Sequence, residues 1–292
     1  MQIYTSIADL RQWRATLPST TSVGFVPTMG FLHAGHLSLV RDARQHNDMV
    51  VVSIFVNPLQ FSPNEDLSTY PRNLPHDLAL LGAAGVDVVF TPTADELYPP
   101  HFNATVQLTG AIVTRLEGER RPGHFTGVAT IVTKLLLICM PTRTYFGQKD
   151  AQQVAVIRQC IQDLNIPVHL YTGPIIREAD GLAMSSRNIY LQPDERKAAT
   201  IVWRTLAVGM HSIEAGERNS TIILESMNRL AQSEPLAQVD YIDIVHPDTF
   251  GSLPHVTAPA LLGIVVRVGR PRLLDNYLWR ADGSWDIGVN IQ

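Results

Sequence analysis

Along the first half of the chain, short runs of apolar, mostly β-branched residues alternate with stretches whose apolar positions recur every three to four residues. Residues 22–26 (SVGFV), 49–56 (MVVVSIFV), 86–90, 144–146 and 168–171 predict strands, and residues 35–46, 74–84, 125–139 and 151–164 predict helices. The strands lack polar alternation, so both faces of each need cover, and the strand–helix alternation makes the sheet parallel. The pattern is that of an α/β fold: a Rossmann-like parallel sheet with helices on both faces and a ligand crevice at the carboxyl ends of the strands. After about residue 180 the character changes. Residues 194–211 and 220–232 predict helices, 239–245 alternate like a half-exposed strand, and 260–268 read as a more buried one. This is a smaller C-terminal α+β domain, giving domains at 1–180 and 181–292. From about 279 the Gly- and Asp-bearing residues predict a loose tail.

At 292 residues the chain can bury a sizeable core without staples, and 45% hydrophobic with 17% charged residues excludes a disordered, collagen-like or disulfide-scaffold protein. Lys and Arg number 23 against 27 Asp and Glu, a net charge of −4, which leaves no electrostatic footprint for nucleic acid. Cys139 and Cys160 sit in apolar, helix-period context and read as reduced residues of a cytoplasmic protein. The first residues lack the basic start and apolar run of a signal peptide. The most apolar stretch, 128–140, is about 13 residues long and carries Lys134, too short and polar to span a bilayer. No membrane partner is expected.

Candidate chemistry gathers at strand ends. The segment Met29, Gly30, Phe31, Leu32, His33, Ala34, Gly35, His36 links the first strand to the first helix. Gly30 and Gly35 have P-loop spacing, but His36 and Leu37 stand where Lys and Ser/Thr would be, so that mechanism is absent. What remains is a glycine-bearing turn whose helix N–H groups favour an anion, with His33 and His36 on one face able to donate to phosphate oxygens. A lone histidine there would more often be a helix cap. After the second strand come Asn57 and Gln60, whose amides suit a small polar substrate. Gly147, Gln148, Lys149 and Asp150 leave a strand and enter a helix carrying Gln153. Lys149 could neutralise phosphate, and Asp150 could accept from ribose or simply cap the helix. Met184, Ser185, Ser186 and Arg187 read as a phosphate clamp in a mobile linker. Arg121 or His124 could also face the crevice. The other histidines show no metal-ligand spacing, so no protein metal site is expected.

Five segments in order resemble one family: Val26-Pro-Thr-Met-Gly-Phe-Leu-His-Ala-Gly-His36, Phe55-Val-Asn-Pro-Leu-Gln-Phe61, Arg121-Pro-Gly-His-Phe-Thr-Gly-Val128, Phe146-Gly-Gln-Lys-Asp150 and Asp180-Gly-Leu-Ala-Met-Ser-Ser-Arg-Asn188. The chain is similar to the pantoate–β-alanine ligases of the His-x-Gly-His nucleotidyl-transferring superfamily, from residue 1 to about 278. The resemblance implies an ATP- and Mg2+-dependent, AMP-forming ligase of pantothenate biosynthesis, acting as a cytoplasmic homodimer. Pantoate would form pantoyl adenylate and release pyrophosphate, and β-alanine would then displace AMP. It further implies that Met29 to His36 hold the ATP phosphates, with His36, His33 and Lys149 catalytic. Gly147, Gln148, Lys149 and Asp150 would bind ribose and phosphate, Ile176 would lie against adenine, and Met184, Ser185, Ser186 and Arg187 would close on the nucleotide. Gln60 and Gln153 would bind pantoate, with Gln60 also near β-alanine, and Asn57 and Arg121 join them as substrate candidates on their own chemistry.

Gln148 departs from the family's usual Glu, and the tail beyond Leu278 is unexpected. Two other readings keep the nucleotide loops. One is a related nucleotidylyltransferase acting on a small phosphorylated substrate, which would need extra cations in the acceptor pocket. The other is a nucleotide-binding module without turnover. A tRNA synthetase-like protein fits poorly with the acidic balance.

Overall fold

The structure, a computed structural model, describes residues 1–63 and 65–291. Its first compact unit comprises residues 1–147 and 156–173. Six strands form one sheet: β1 (Gln2–Tyr4), β2 (Val23–Thr28), β3 (Met49–Ile54), β4 (Val88–Phe90), β5 (Arg143–Gly147) and β6 (His169–Gly173). They lie in the order β1-β4-β3-β2-β5-β6, and every pairing is parallel. Val26, Val50, Val52 and Val89 project to one face, against Leu39, Val40 and Ala43 of helix Ala34–His46 and Leu81 of helix Leu74–Ala83. Helix His124–Cys139 also packs on β2 and carries helix Ile7–Thr16 against it, covering the other face. Helices on both faces explain why the strands read as unbroken apolar runs.

The chain builds from β2 outward to β3 and β4, then returns to place β5 on β2's other side. Strand order therefore reverses between β2 and β5, whose carboxyl ends are Thr28 and Gly147. Loops leaving a sheet at such a switch point line its ligand crevice.

The second unit comprises residues 148–155 and those from 174 onward. It contains β7 (Ile176–Arg177), β8 (Ala237–Val245), β9 (Ala260–Val268), β10 (Arg272–Trp279), β11 (Trp285–Asp286) and β12 (Val289–Asn290). Four of them form an antiparallel sheet ordered β11-β10-β9-β8, and β7 pairs with β12 in parallel. Val202, Leu206 and Ile213 of helix Ile201–Glu214 and Met227 of helix Ser220–Ala231 pack on Leu262, Ile264 and Val266.

Three features differ from the sequence reading. The second unit takes in residues 148–155 and those from 174 onward, where the sequence reading drew a single boundary at 180/181, and β7 takes its strand partner from the C-terminal residues. The tail is not loose: it carries β11 and β12. The helix expected over 194–211 is two, Pro193–Ala199 and Ile201–Glu214, parted at Thr200, whose hydroxyl donates to the Lys197 carbonyl.

Candidate active site

β2 ends at Thr28, and the chain turns sharply through Gly30 (φ +80°) and Phe31 (φ +51°). The left-handed region suits glycine and strains Phe31, so something must hold this turn. Asp77 does. Its carboxylate, 1% exposed, accepts from the Phe31 N–H at Oδ2 and the Leu32 N–H at Oδ1, both at 2.8 Å. Asp77 is itself fixed in the first turn of helix Leu74–Ala83, which Asn73 caps through the His76 N–H.

The next residue, His33, caps helix Ala34–His46: its Nδ1 accepts from the Gly35 N–H at 3.1 Å. His36 reaches back, and its Nδ1 accepts from the His33 N–H at 3.3 Å. The ring centroids lie 4.1 Å apart, and both residues are partly exposed. An Nδ1 that accepts cannot carry the ring hydrogen, so in this cap each ring's N–H lies at Nε2. Capping and catalysis, alternatives in the sequence, thus use different nitrogens of the same rings. The helix start adds the positive end of its dipole, which favours an anion, while its Gly35, His36 and Leu37 N–H groups are already bonded to His33.

Behind this loop lies the turn Pro58–Gln60. Gln60 Nε2 donates to Met29 Sδ at 3.1 Å, joining two candidate segments. Asn57 donates to Gln60 Oε1 (3.1 Å) and the Gly127 carbonyl (3.2 Å), and accepts from the Tyr98 hydroxyl (2.7 Å) and the Leu59 N–H. Asn57 is 1% exposed, and these bonds hold it against Gln60. Gly127 allows the approach, since a Cβ there would collide with the Leu59 carbonyl.

Arg121 is likewise committed within the protein. It grips Glu65 through two bonds of 2.8 and 2.7 Å and donates to the Gln60 carbonyl. His124 Nδ1–H donates to that carbonyl at 2.8 Å, while its Nε2 accepts from Arg121 at 3.1 Å. Burial, aided by the Arg121 charge, pushes the His124 pKa down to about 4, so the ring is neutral at pH 7. Burial would raise the Glu65 carboxyl, but Arg121 outweighs it and holds it below its usual range. Arg121 therefore braces the Gln60 turn.

The remaining candidates other than Gly147 belong to the second unit. The turn Gln148–Asp150 is pinned by Asn276, which donates to the carbonyls of Gln148 (3.0 Å) and Lys149 (2.9 Å). Gln148 Nε2 donates in return to Asn276 Oδ1 at 3.2 Å, a bond that a carboxylate at position 148 could not make. Lys149 Nζ lies 3.7 Å from Asp150 Oδ1, and Gln153 stands on the helix that follows. Ile176 begins β7, and Met184 N–H donates to its carbonyl, closing a hairpin through Gly181 (φ +87°). Ser185 caps the turn Ser186–Tyr190 by accepting from the Arg187 N–H. Asn188 and Arg196 both bond Glu178, and Arg196 also bonds Asp180. The clamp segment is therefore a cross-braced hairpin, not an open linker.

Sequence reading missed Asp77, Asn276 and its neighbour Asp275, which pairs with Arg177 beside Ile176 at 2.6 and 2.9 Å. Asp77 lies within a helix on a run of apolar residues, where a carboxylate needs partners when buried, and that was its signal. Among the described residues no three His, Cys, Asp or Glu side chains are grouped to hold a metal. No helix of the described residues is long and apolar enough to cross a membrane.

Comparison with known proteins gives a consistent answer. The profile of the family described as pantoate-beta-alanine ligase matches residues 2–278. The pantothenate synthetase of Roseiflexus sp. (strain RS-1) is 53% identical over 281 residues, covering 96% of this chain and all of that one. A pantothenate synthetase structure from Thermus thermophilus superposes with a TM-score of 0.90 at 45% identity, covering 94% and 98% of the two chains. A Francisella tularensis pantoate-beta-alanine ligase structure, complexed with beta-gamma ATP and beta-alanine, matches at TM-score 0.78 and 34% identity over 95% and 97%. By profile, sequence and fold together, this chain belongs to the pantoate–β-alanine ligase family.

Proposed function

We propose that the chain joins pantoate to β-alanine with ATP as co-substrate, releasing AMP and pyrophosphate. The observation that carries the reading is the reciprocal cap of His33 and His36, which uses Nδ1 of both rings and sets them at a helix start that follows a sheet switch point. Transfer of a nucleotidyl group needs alignment and neutralisation of negative charge spreading over phosphate oxygens. His33, His36 and Lys149 supply donors and charge for that purpose, with Arg187 closing on the phosphates and Ser185 and Ser186 beside it.

In the first step a pantoate carboxylate oxygen attacks the α-phosphorus and pyrophosphate leaves. In the second, the β-alanine amine attacks the acyl carbon and AMP leaves. The segment Met29 to His36 holds the triphosphate through its two imidazoles and the positive end of its helix. Gly147 to Asp150 hold ribose and phosphate, and Ile176 lies against adenine. Gln60 and Gln153 orient pantoate by their amides, while Asn57 and Arg121 act one step back by fixing Gln60. Mg2+ enters with ATP as part of the substrate, since it keeps waters and binds chiefly through phosphates. A homodimer working in the cytoplasm completes the proposal.

Isotope exchange between pyrophosphate and ATP tests it. Exchange that requires pantoate, with AMP release only on adding β-alanine, supports the ligase. Exchange that instead requires a phosphorylated acceptor supports the nucleotidylyltransferase, and no turnover with any acid leaves only binding.

A further inference from the structure

The family profile ends at residue 278, yet the chain continues into regular structure. After β10 it turns through residues 280–284, where the Arg280 N–H donates to the Ser284 carbonyl, and pairs back as β11, with Trp279 opposite Trp285. Those two indoles stack at 5.9 Å, and Arg280 meets Asp286 at 2.7 Å. The chain then bends at Gly288 (φ +87°) and lays β12 along the outer edge of β7. Val289 N–H donates to the Ile175 carbonyl at 2.7 Å, and Ile291 N–H donates to the Arg177 carbonyl at 2.9 Å.

β7 is thus held on two edges. Its inner edge carries the hairpin that leads to Met184–Arg187, through the Met184 N–H bond to Ile176 and the Arg177–Ala183 bridge. Its outer edge is occupied by the tail. The Arg177 side chain joins all parts: it pairs with Asp275 at 2.6 and 2.9 Å, donates to the Gly181 carbonyl at 3.1 Å, and donates Nε–H to the tail's Ile287 carbonyl at 2.5 Å. It is 4% exposed, so every donor that loses its acceptor stays buried and unpaired. Gly288 is fitted to this docking, since a Cβ there would lie 2.5 Å from the Ile175 carbonyl oxygen and 3.0 Å from Arg177 Nε.

We propose that the tail is a strap that positions the 176–187 hairpin through Arg177 and thereby sets the affinity for ATP. Arg177 is its positioning residue. The link to ATP rests on the reading of Met184–Arg187 as a nucleotide clamp; the mechanical part does not. A hairpin that is correctly placed only a fraction of the time lowers apparent affinity by that fraction, while turnover at saturation is preserved.

The test uses two variants of the full enzyme. One ends at Asp286, keeping β11 and its indole stack but losing β12 and Ile287. The other is the complete chain with Gly288→Ala, which dislodges the strand without shortening it. Circular dichroism checks that each is folded, hydrogen exchange is followed by mass spectrometry across residues 174–188, and KM is measured for ATP and for pantoate. Both variants are expected to exchange about tenfold faster in that segment. The ATP KM rises about tenfold, with kcat and the pantoate KM near those of the parent. Unchanged exchange in folded variants overturns the strap. Faster exchange with an unchanged ATP KM leaves the strap standing and overturns the assignment of Met184–Arg187 to nucleotide.

Discussion

Asp275 and Arg177 form a bidentate ion pair, 2.6 and 2.9 Å long, with the carboxylate wholly buried and the guanidinium nearly so. The neighbour of Asp275 on β10, Asn276, pins the Gln148–Lys149 turn. Two adjacent residues of one strand therefore fix both segments of the second unit to which nucleotide binding is assigned above. Removing one partner of such a pair leaves a buried charge uncompensated, at about 3–5 kcal/mol. Asp275→Asn should lower unfolding free energy by that order in urea titration. A loss below about 1 kcal/mol, the level of an exposed pair, would show the site to be wetter than its geometry indicates.

His36 has two separable duties, one at each ring nitrogen. In His36→Asn the amide oxygen can take over from Nδ1 in accepting the His33 N–H, while the Nε2–H donor is lost. The variant should therefore unfold near the parental midpoint yet form adenylate about 10²–10³-fold more slowly. Near-parental adenylation in this variant would assign the importance of His36 to capping alone.

Asp77 is the buried carboxylate on which the strained turn at Gly30 and Phe31 depends. Asp77→Asn sets an amide N–H2 against a backbone donor, at about 1–3 kcal/mol. Misplacing the loop by about an ångström should cost about 10² in kcat, more than any fall in stability explains. Rapid-quench measurement of adenylate formation checks this; a rate within a few-fold of the parent contradicts it.

His124 gives the protein an acid sensitivity. Its pKa is about 4 when folded and 6.5 as a free group, so between those values the unfolded chain binds more protons and stability falls as pH falls. The full effect is about 3 kcal/mol, reached near pH 4 and absent above about pH 7. Unfolding midpoints in urea from pH 4.5 to 7 should slope less steeply in His124→Asn than in the parent. Equal slopes would place the acid sensitivity elsewhere.

The sheet was legible in the sequence because central parallel strands are apolar on both faces, as in MVVVSIFV around β3. β1 was not, since its three residues are largely exposed, nor was helix Ile7–Thr16, which buries only Leu10. β10 escaped notice as a strand because its centre is the buried polar pair Asp275-Asn276, which breaks an apolar pattern. The candidate residues were legible from motif order, but their division of labour was not. Asn57 and Arg121 carry groups that suit a substrate, and only the structure shows that they also bond Gln60 and Glu65. The tail's docking depends on a Gly288 bend and a pairing with residues over one hundred positions away, which no local pattern encodes.

The most direct test of the chemistry follows oxygen. Pantoate labelled with ¹⁸O in its carboxylate is turned over with ATP and β-alanine, and the products are resolved by mass spectrometry. Attack on the α-phosphorus followed by amine attack on the acyl carbon leaves one labelled oxygen in AMP and none in pyrophosphate. Label absent from AMP, or appearing in pyrophosphate or inorganic phosphate, would contradict an adenylate route and the role given to the two histidines.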